Sequence, residues 1–249
     1  MFYSINLFYR NNKTPVIATG VLLFLLLLQC NTIAAQVALN DFEHNAIVSD
    51  INGKPFVNPD IDVAGSAFFI DAWKYGKLKV NDNSLFGNIR LRLDLKNQEV
   101  HFLKSDNIEM VAPAGTIKEI ILLDSSGVIP VSYTFQCGVP AIDNQNETNF
   151  YQVICAGKIK LLKAIRKIIR QDKDDLSGEV RKEFRVYEDY YLYYGISIKK
   201  IKKDKAFVLD IMSDQKDKIE AFTKKNSLNY KSMEDFPKII NYYNSLPTQ

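Results

Sequence analysis

Histidine, cysteine and clustered carboxylates are the residues here with chemistry to offer, and they are thinly spread. Only His44 and His101 are present. His101 alternates with Val100 and Phe102 on a strand-like run, and both histidines read as surface residues. No pair of them has metal-ligand spacing. Asp60 and Asp62, and the run Asp143-Asn144-Gln145-Asn146-Glu147, suggest calcium by composition. Both lack the spacing and the glycine of a helix-loop-helix calcium site and read as turns. There is no Gly-x-Ser-x-Gly elbow, phosphate loop or dinucleotide fingerprint. Glycoside hydrolysis asks only for two well-placed carboxyl groups. With 29 Asp+Glu in the chain no pair can be singled out. The reading is therefore of a chain with no catalytic residue, no metal ligand and no cofactor assigned.

Aromatic and basic residues supply the second kind of chemistry. Gly65-Ser66 is followed by Phe68, Phe69, Trp73 and Tyr75, an aromatic plug at the start of a sheet or one wall of a groove. Tyr187, Tyr190, Tyr191, Tyr193 and Tyr194 follow later. Trp73, Tyr75, Tyr191, Tyr193, Lys160 and Lys163 are the residues expected to form a ligand or partner surface. Cys137 and Cys155 lie symmetrically about Asn146 between two strand patterns. A disulfide across a hairpin is one reading, two buried thiols the other. Asn146-Glu147-Thr148 fits the glycosylation triplet, a pattern common by chance.

The elements that must carry these residues are mostly strands. Ile89, Leu91, Leu93 and Leu95 alternate with Arg90, Arg92, Asp94 and Lys96, the period of a half-buried antiparallel strand. Lys96-Asn97-Gln98 turns the chain, and Val100 and Phe102 continue on the inner face. Further turn residues at short intervals predict a meander. Lys158 to Arg170 holds six cations and no acid, and Leu161, Leu162, Ile165, Ile168 and Ile169 also match a helical stripe. The strand-like Val180 to Tyr194 favours a long hairpin over a basic helix lying on an anionic membrane, which remains the route to peripheral membrane association. Short helices are expected from Asp204, from Ser213 or Asp214, and from Ser232 to Asp235, with Pro237 in a first turn. The fold class is mainly β with a helical C-terminal tail (α+β): an antiparallel meander sheet or partly open barrel over 65–202, a lead-in at 36–64 and a helical unit at 203–249.

The address lies in the first 35 residues. Arg10 and Lys13 precede the apolar Val21 to Leu28, and Ala34-Ala35 offers a small-residue exit, as in a secretory signal peptide. A spanning helix would need about 20 apolar residues. Leu27-Leu28-Gln29-Cys30 looks like a lipoprotein box whose residue before the cysteine should be small. Removing Arg10 and Lys13 leaves 30 Lys+Arg against 29 Asp+Glu, a net of +1 with no global pull toward nucleic acid.

The pieces Gly65-Ser66-Ala67-Phe68-Phe69 with Trp73 and Gly76, the strand Asn88 to Leu95, Gly157 to Lys163, and Tyr242-Tyr243-Asn244-Ser245-Leu246 together resemble a family of uncharacterised exported β-rich proteins of Bacteroidetes-type bacteria. The resemblance implies export and brings no catalytic residues with it. The expected role is a non-enzymatic binding or structural module of the envelope or secreted space, with an envelope protein or a glycan as partner. A carbohydrate-active hydrolase with a carboxylate pair is the rival.

Overall fold

Alternation decides the centre of the fold. In the computed structural model Ile89, Leu91, Leu93 and Leu95 are all buried, and Val100 and Phe102 join them. The structure describes residues 54–55, 59–60, 62–81, 83–104, 106–173 and 178–247. The leader, Cys30 and His44 lie outside the described residues, as does most of the lead-in segment.

Among the described residues eleven strands form one antiparallel sheet: β1 (Lys54–Pro55), β2 (Lys74–Val80), β3 (Leu85–Asp94), β4 (Glu99–Leu103), β5 (Glu109–Val111), β6 (Ile117–Asp124), β7 (Val131–Gln136), β8 (Tyr151–Cys155), β9 (Ile159–Lys173), β10 (Val180–Tyr194) and β11 (Ser197–Lys200). The order is β1-β5-β4-β3-β2-β6-β7-β8-β9-β10-β11. Two meanders thus share β2, which pairs with β3 on one side and β6 on the other. Gly76 allows that crowding, because a Cβ there would lie 2.1 Å from the Ile121 carbonyl oxygen. The sheet also curls on itself. The Lys167 amide on β9 donates to the Leu95 carbonyl at 3.1 Å. Gln98 Nε2 reaches the carbonyls of Leu95 and Ile165, each at 3.1 Å. Ile165 accordingly packs with the residues of β2, β3, β4, β6 and β7 in the main core.

From Ile159 onward the basic segment is strand, paired residue for residue with β10 from Tyr194↔Ile159 to Val180↔Lys173. Its helix-like stripe has a simple cause. Leu161 packs into a core beneath the helices and Leu162 into a separate cluster with Tyr151 and Tyr191. A strand buried on both faces loses its alternation. Gly195, φ +57°, takes the first position of the tight turn into β11.

Three helices follow: α1 (Lys205–Ile211), α2 (Lys216–Lys225) and α3 (Phe236–Ser245). Asp204 caps α1 by accepting from the Phe207 amide. Neither Ser213 nor Asp214 caps α2; a short 3₁₀ turn, Ser213–Gln215, precedes it, and Asp214 instead accepts from the Tyr243 hydroxyl at 3.0 Å. Pro237 sits in the first turn of α3, whose Phe236, Ile239, Ile240 and Tyr243 are buried. They pack with Cys155, Ile159, Leu161 and Leu192, so the helices share a core with the sheet. Short helices gain their stability from such a surface.

Candidate functional site

The polar face of the β3–β4–β5 ribbon carries the site. Inward alternation of Leu91 and Leu93 forces Arg92 and Asp94 outward, and pairing places His101 opposite Arg92 and Glu99 opposite Asp94. Residues 64–71 form a strap along the edge of β3, with the Phe68 side chain laid over this face. The Phe69 amide donates to the Leu93 carbonyl and the Leu95 amide to the Ala67 carbonyl, while Ala64 bridges β10 at Lys182 and Phe184. Lys167 Nζ holds the strap from below, donating to the Ser66 and Phe68 carbonyls at 2.8 and 2.5 Å. Burial pushes this ammonium's pKa down, while the carboxylates of Asp71 and Asp94 pull it up.

Under the strap the charges interlock. The Arg92 guanidinium donates to both Glu109 oxygens at 2.7 and 2.8 Å. Its carbon lies 3.8 Å from the Phe68 ring centroid and 4.2 Å from that of Trp73, a cation held between two aromatic rings. His101 is fully buried, 0% exposed, with Nδ1 2.6 Å from Glu109 Oε1 and Nε2 4.0 Å from Asp94 Oδ2. Phe68 meets its ring edge-on at 5.0 Å. Asp94 also holds the β3–β4 turn, accepting from the amides of Lys96 and Asn97 and from Asn97 Nδ2. Asp60 is clasped by Lys96 at 2.6 Å, and Ser66 Oγ donates to Asp71 at 2.7 Å.

A cleft of about 510 Å³ opens between strap and ribbon. Carboxylates of Asp60, Asp71, Asp94 and Glu109 line it with Ser66 and Arg92, and Phe68 and Phe184 supply apolar wall. No family model, curated protein or solved structure matches this chain. Chemistry must therefore be read from these side chains themselves.

The expected surface residues do not converge here. Trp73 does belong to the site, beneath Arg92. Tyr75, two residues on, is exposed on β2. Lys160 and Tyr193 are register partners on the β9–β10 hairpin, with Lys160 Nζ donating to Gln136 at 2.8 Å. Lys163 pairs with Glu188 at 2.6 Å and lies over the Tyr190 ring. Tyr191 is not on a surface; it is fully buried, its hydroxyl donating to Asp143 at 2.9 Å. The cations of β9 fall on both faces of the strand, Lys160 and Arg166 on one and Lys163 and Lys167 on the other, so they form no single basic stripe.

Two corrections come from register and covering. Phe135 pairs with Gln152 and Gln136 with Tyr151, so Cys137 lies level with Phe150, not Cys155. Five residues of offset is roughly 17 Å along a strand. Both cysteines are free: Cys137 Sγ contacts the Ile117 carbonyl and Cys155 Sγ the Pro237 carbonyl. His101 is not a surface residue, because Phe68 of the strap covers it on the polar face of its strand. Alternation correctly placed Arg92, Asp94 and His101 opposite the core; nothing in it announced the strap. The Phe68-Phe69-Trp73 cluster was the available sign that this face is covered.

Proposed function

We propose that this is an exported envelope or secreted protein that binds a saccharide in the cleft between the strap and the β3–β5 ribbon. The observation that carries the reading is the cleft's lining. Fixed carboxylates suit the hydroxyl donors of a sugar, and Phe68 and Phe184 suit its apolar CH face. Preorganisation supports binding, since Asp60, Asp71, Asp94 and Glu109 are each held by named partners before any ligand arrives. Those partners also favour binding over hydrolysis. A glycosidase keeps one carboxyl group as a proton donor, whereas Glu109 is clamped by Arg92 and Asp94 takes its turn's amides. Export rests on the leader's pattern of Arg10, Lys13 and the apolar run.

Calorimetric titration with a panel of neutral and amino-sugar oligosaccharides tests the proposal. One ligand class should bind, and Asp71→Asn and Phe184→Ala should each weaken it at least tenfold. Absence of binding across the panel, or affinity indifferent to both substitutions, overturns the cleft. Release of reducing ends during the same titrations would favour the hydrolase.

A further inference from the structure

We propose that Asp94, Glu99 and His101 bind one divalent transition-metal cation of the zinc or manganese class on the strap-covered polar face of the β3–β4 hairpin. One ligand atom from each of the three lies within 4.8 Å of the other two. An imidazole with two carboxylates is the donor set of borderline divalent cations. The site shares Asp94 with the cleft, but the inference does not depend on the cleft taking a saccharide.

Three relationships point to a cation. Asp94 and Glu99 are direct cross-strand partners, and like charges opposite each other on a ladder repel. Asp94 is buried and already has donors, but the half-buried Glu99 carboxylate has no hydrogen bond or ion pair among the described residues. His101 is oriented as metal-bound histidines are: one nitrogen against a carboxylate, the other toward the remaining ligands. Here Glu109 engages Nδ1 at 2.6 Å, itself held by Nη2 of Arg92, and Nε2 faces Asp94 Oδ2 at 4.0 Å. Lys167, which donates to the Ser66 and Phe68 carbonyls, lies within electrostatic reach of Asp71 and Asp94 on the strap side.

The separations fit an ion that closes the site slightly. Zinc bonds of about 2.0–2.1 Å set neighbouring tetrahedral ligands roughly 3.3–3.5 Å apart. Asp94 and His101 need to close by about half an ångström. Glu99, only half buried, has room to swing onto the ion.

The test uses the purified chain without a histidine tag, stripped with chelator and titrated with Zn²⁺, Mn²⁺ or Co²⁺. One equivalent should bind, thermal stability should rise with it, and Co²⁺ should develop visible d–d bands. Glu99→Gln should weaken binding more than tenfold, and His101→Gln should abolish the Co²⁺ bands. Circular dichroism checks that the variants fold, and the wild-type spectrum stands without them. No binding at tens of micromolar ion, or binding that survives Glu99→Gln unchanged, overturns the site. Calcium binding without Co²⁺ bands would overturn the assigned metal class.

Discussion

Gln98 in the β3–β4 turn and Ile165 in the middle of β9 are 67 residues apart in sequence and joined by one hydrogen bond, Nε2 to carbonyl, of 3.1 Å. The same side chain accepts from the Phe150 amide at 3.0 Å through Oε1. One turn residue therefore staples β3 to β9 and to the lead into β8, where the curled sheet meets itself. Gln98 does this with a left-handed backbone, φ +58°.

Replacing it separates the two contributions. Gln98→Ala removes the three side-chain bonds and strands the Ile165 carbonyl and Phe150 amide; about 2–3 kcal/mol of stability should go. Gln98→Gly loses the same bonds but relaxes the left-handed backbone, so it should be about 1 kcal/mol less harmful. Urea denaturation of both variants measures the difference. Equal losses would mean the φ angle carries no cost here.

Arg92, on β3 against the strap's Phe68, should be the most sensitive residue of the site. Arg92→Ala removes an ion pair whose side chains are only 13% and 21% exposed, leaving Glu109 and His101 to face each other without it. The cost should be about 2–3 kcal/mol, below the 3–5 kcal/mol of a fully buried pair. Trp73 is the chain's single tryptophan and lies 4.2 Å from the guanidinium. Its fluorescence should shift to the red as the strap loosens, before global unfolding. An unchanged spectrum with lowered stability would place the damage elsewhere.

Much of this was legible in residue order, for identifiable reasons. The inward faces of β3 and β4, the helix beginning near Asp204 and Pro237 in a first turn are local matters that period and turn chemistry determine. The site was half legible. Alternation put Arg92, Asp94 and His101 on the face away from the core, but that face became interior only through the strap's contacts with β3, β9 and β10. Those contacts are long-range, so His101 read as exposed. The cysteine spacing left disulfide and free thiols both open for a related reason. Symmetry about Asn146 predicts pairing only if the hairpin turns there, and the register centres it nearer Asp143 and Asn144.

The thiols give a direct check on that register. Desolvation raises both, Cys155 to about 11, and Cys155 is buried while Cys137 is half exposed. At pH 8, iodoacetamide should label Cys137 first and Cys155 only after unfolding, as read by peptide mass spectrometry. Recovery of a Cys137–Cys155 disulfide peptide from unreduced protein would contradict the register of β7 and β8.

Acid should loosen the base of the long hairpin. Asp189 on β10 takes Lys200 of β11 at 2.7 Å and Arg166 of β9 at 3.1 Å, tying three strands together. The Lys200 hydrogen bond leads in holding its pKa below the usual carboxylate value, with Arg166 adding to it and partial burial opposing. A carboxyl group lowered on folding stabilises the folded state above its unfolded pKa of about 4, and that contribution fades as pH falls through the lower, folded value. The half-exposed Lys200 limits the effect to about 1 kcal/mol. Asp189→Asn should therefore reduce stability near pH 7 and converge with the wild type toward pH 2. Urea midpoints across that range measure it, and high salt should shrink the gap at pH 7. A gap that stayed constant with pH would show that Asp189 acts through shape and hydrogen bonding, with its charge contributing nothing.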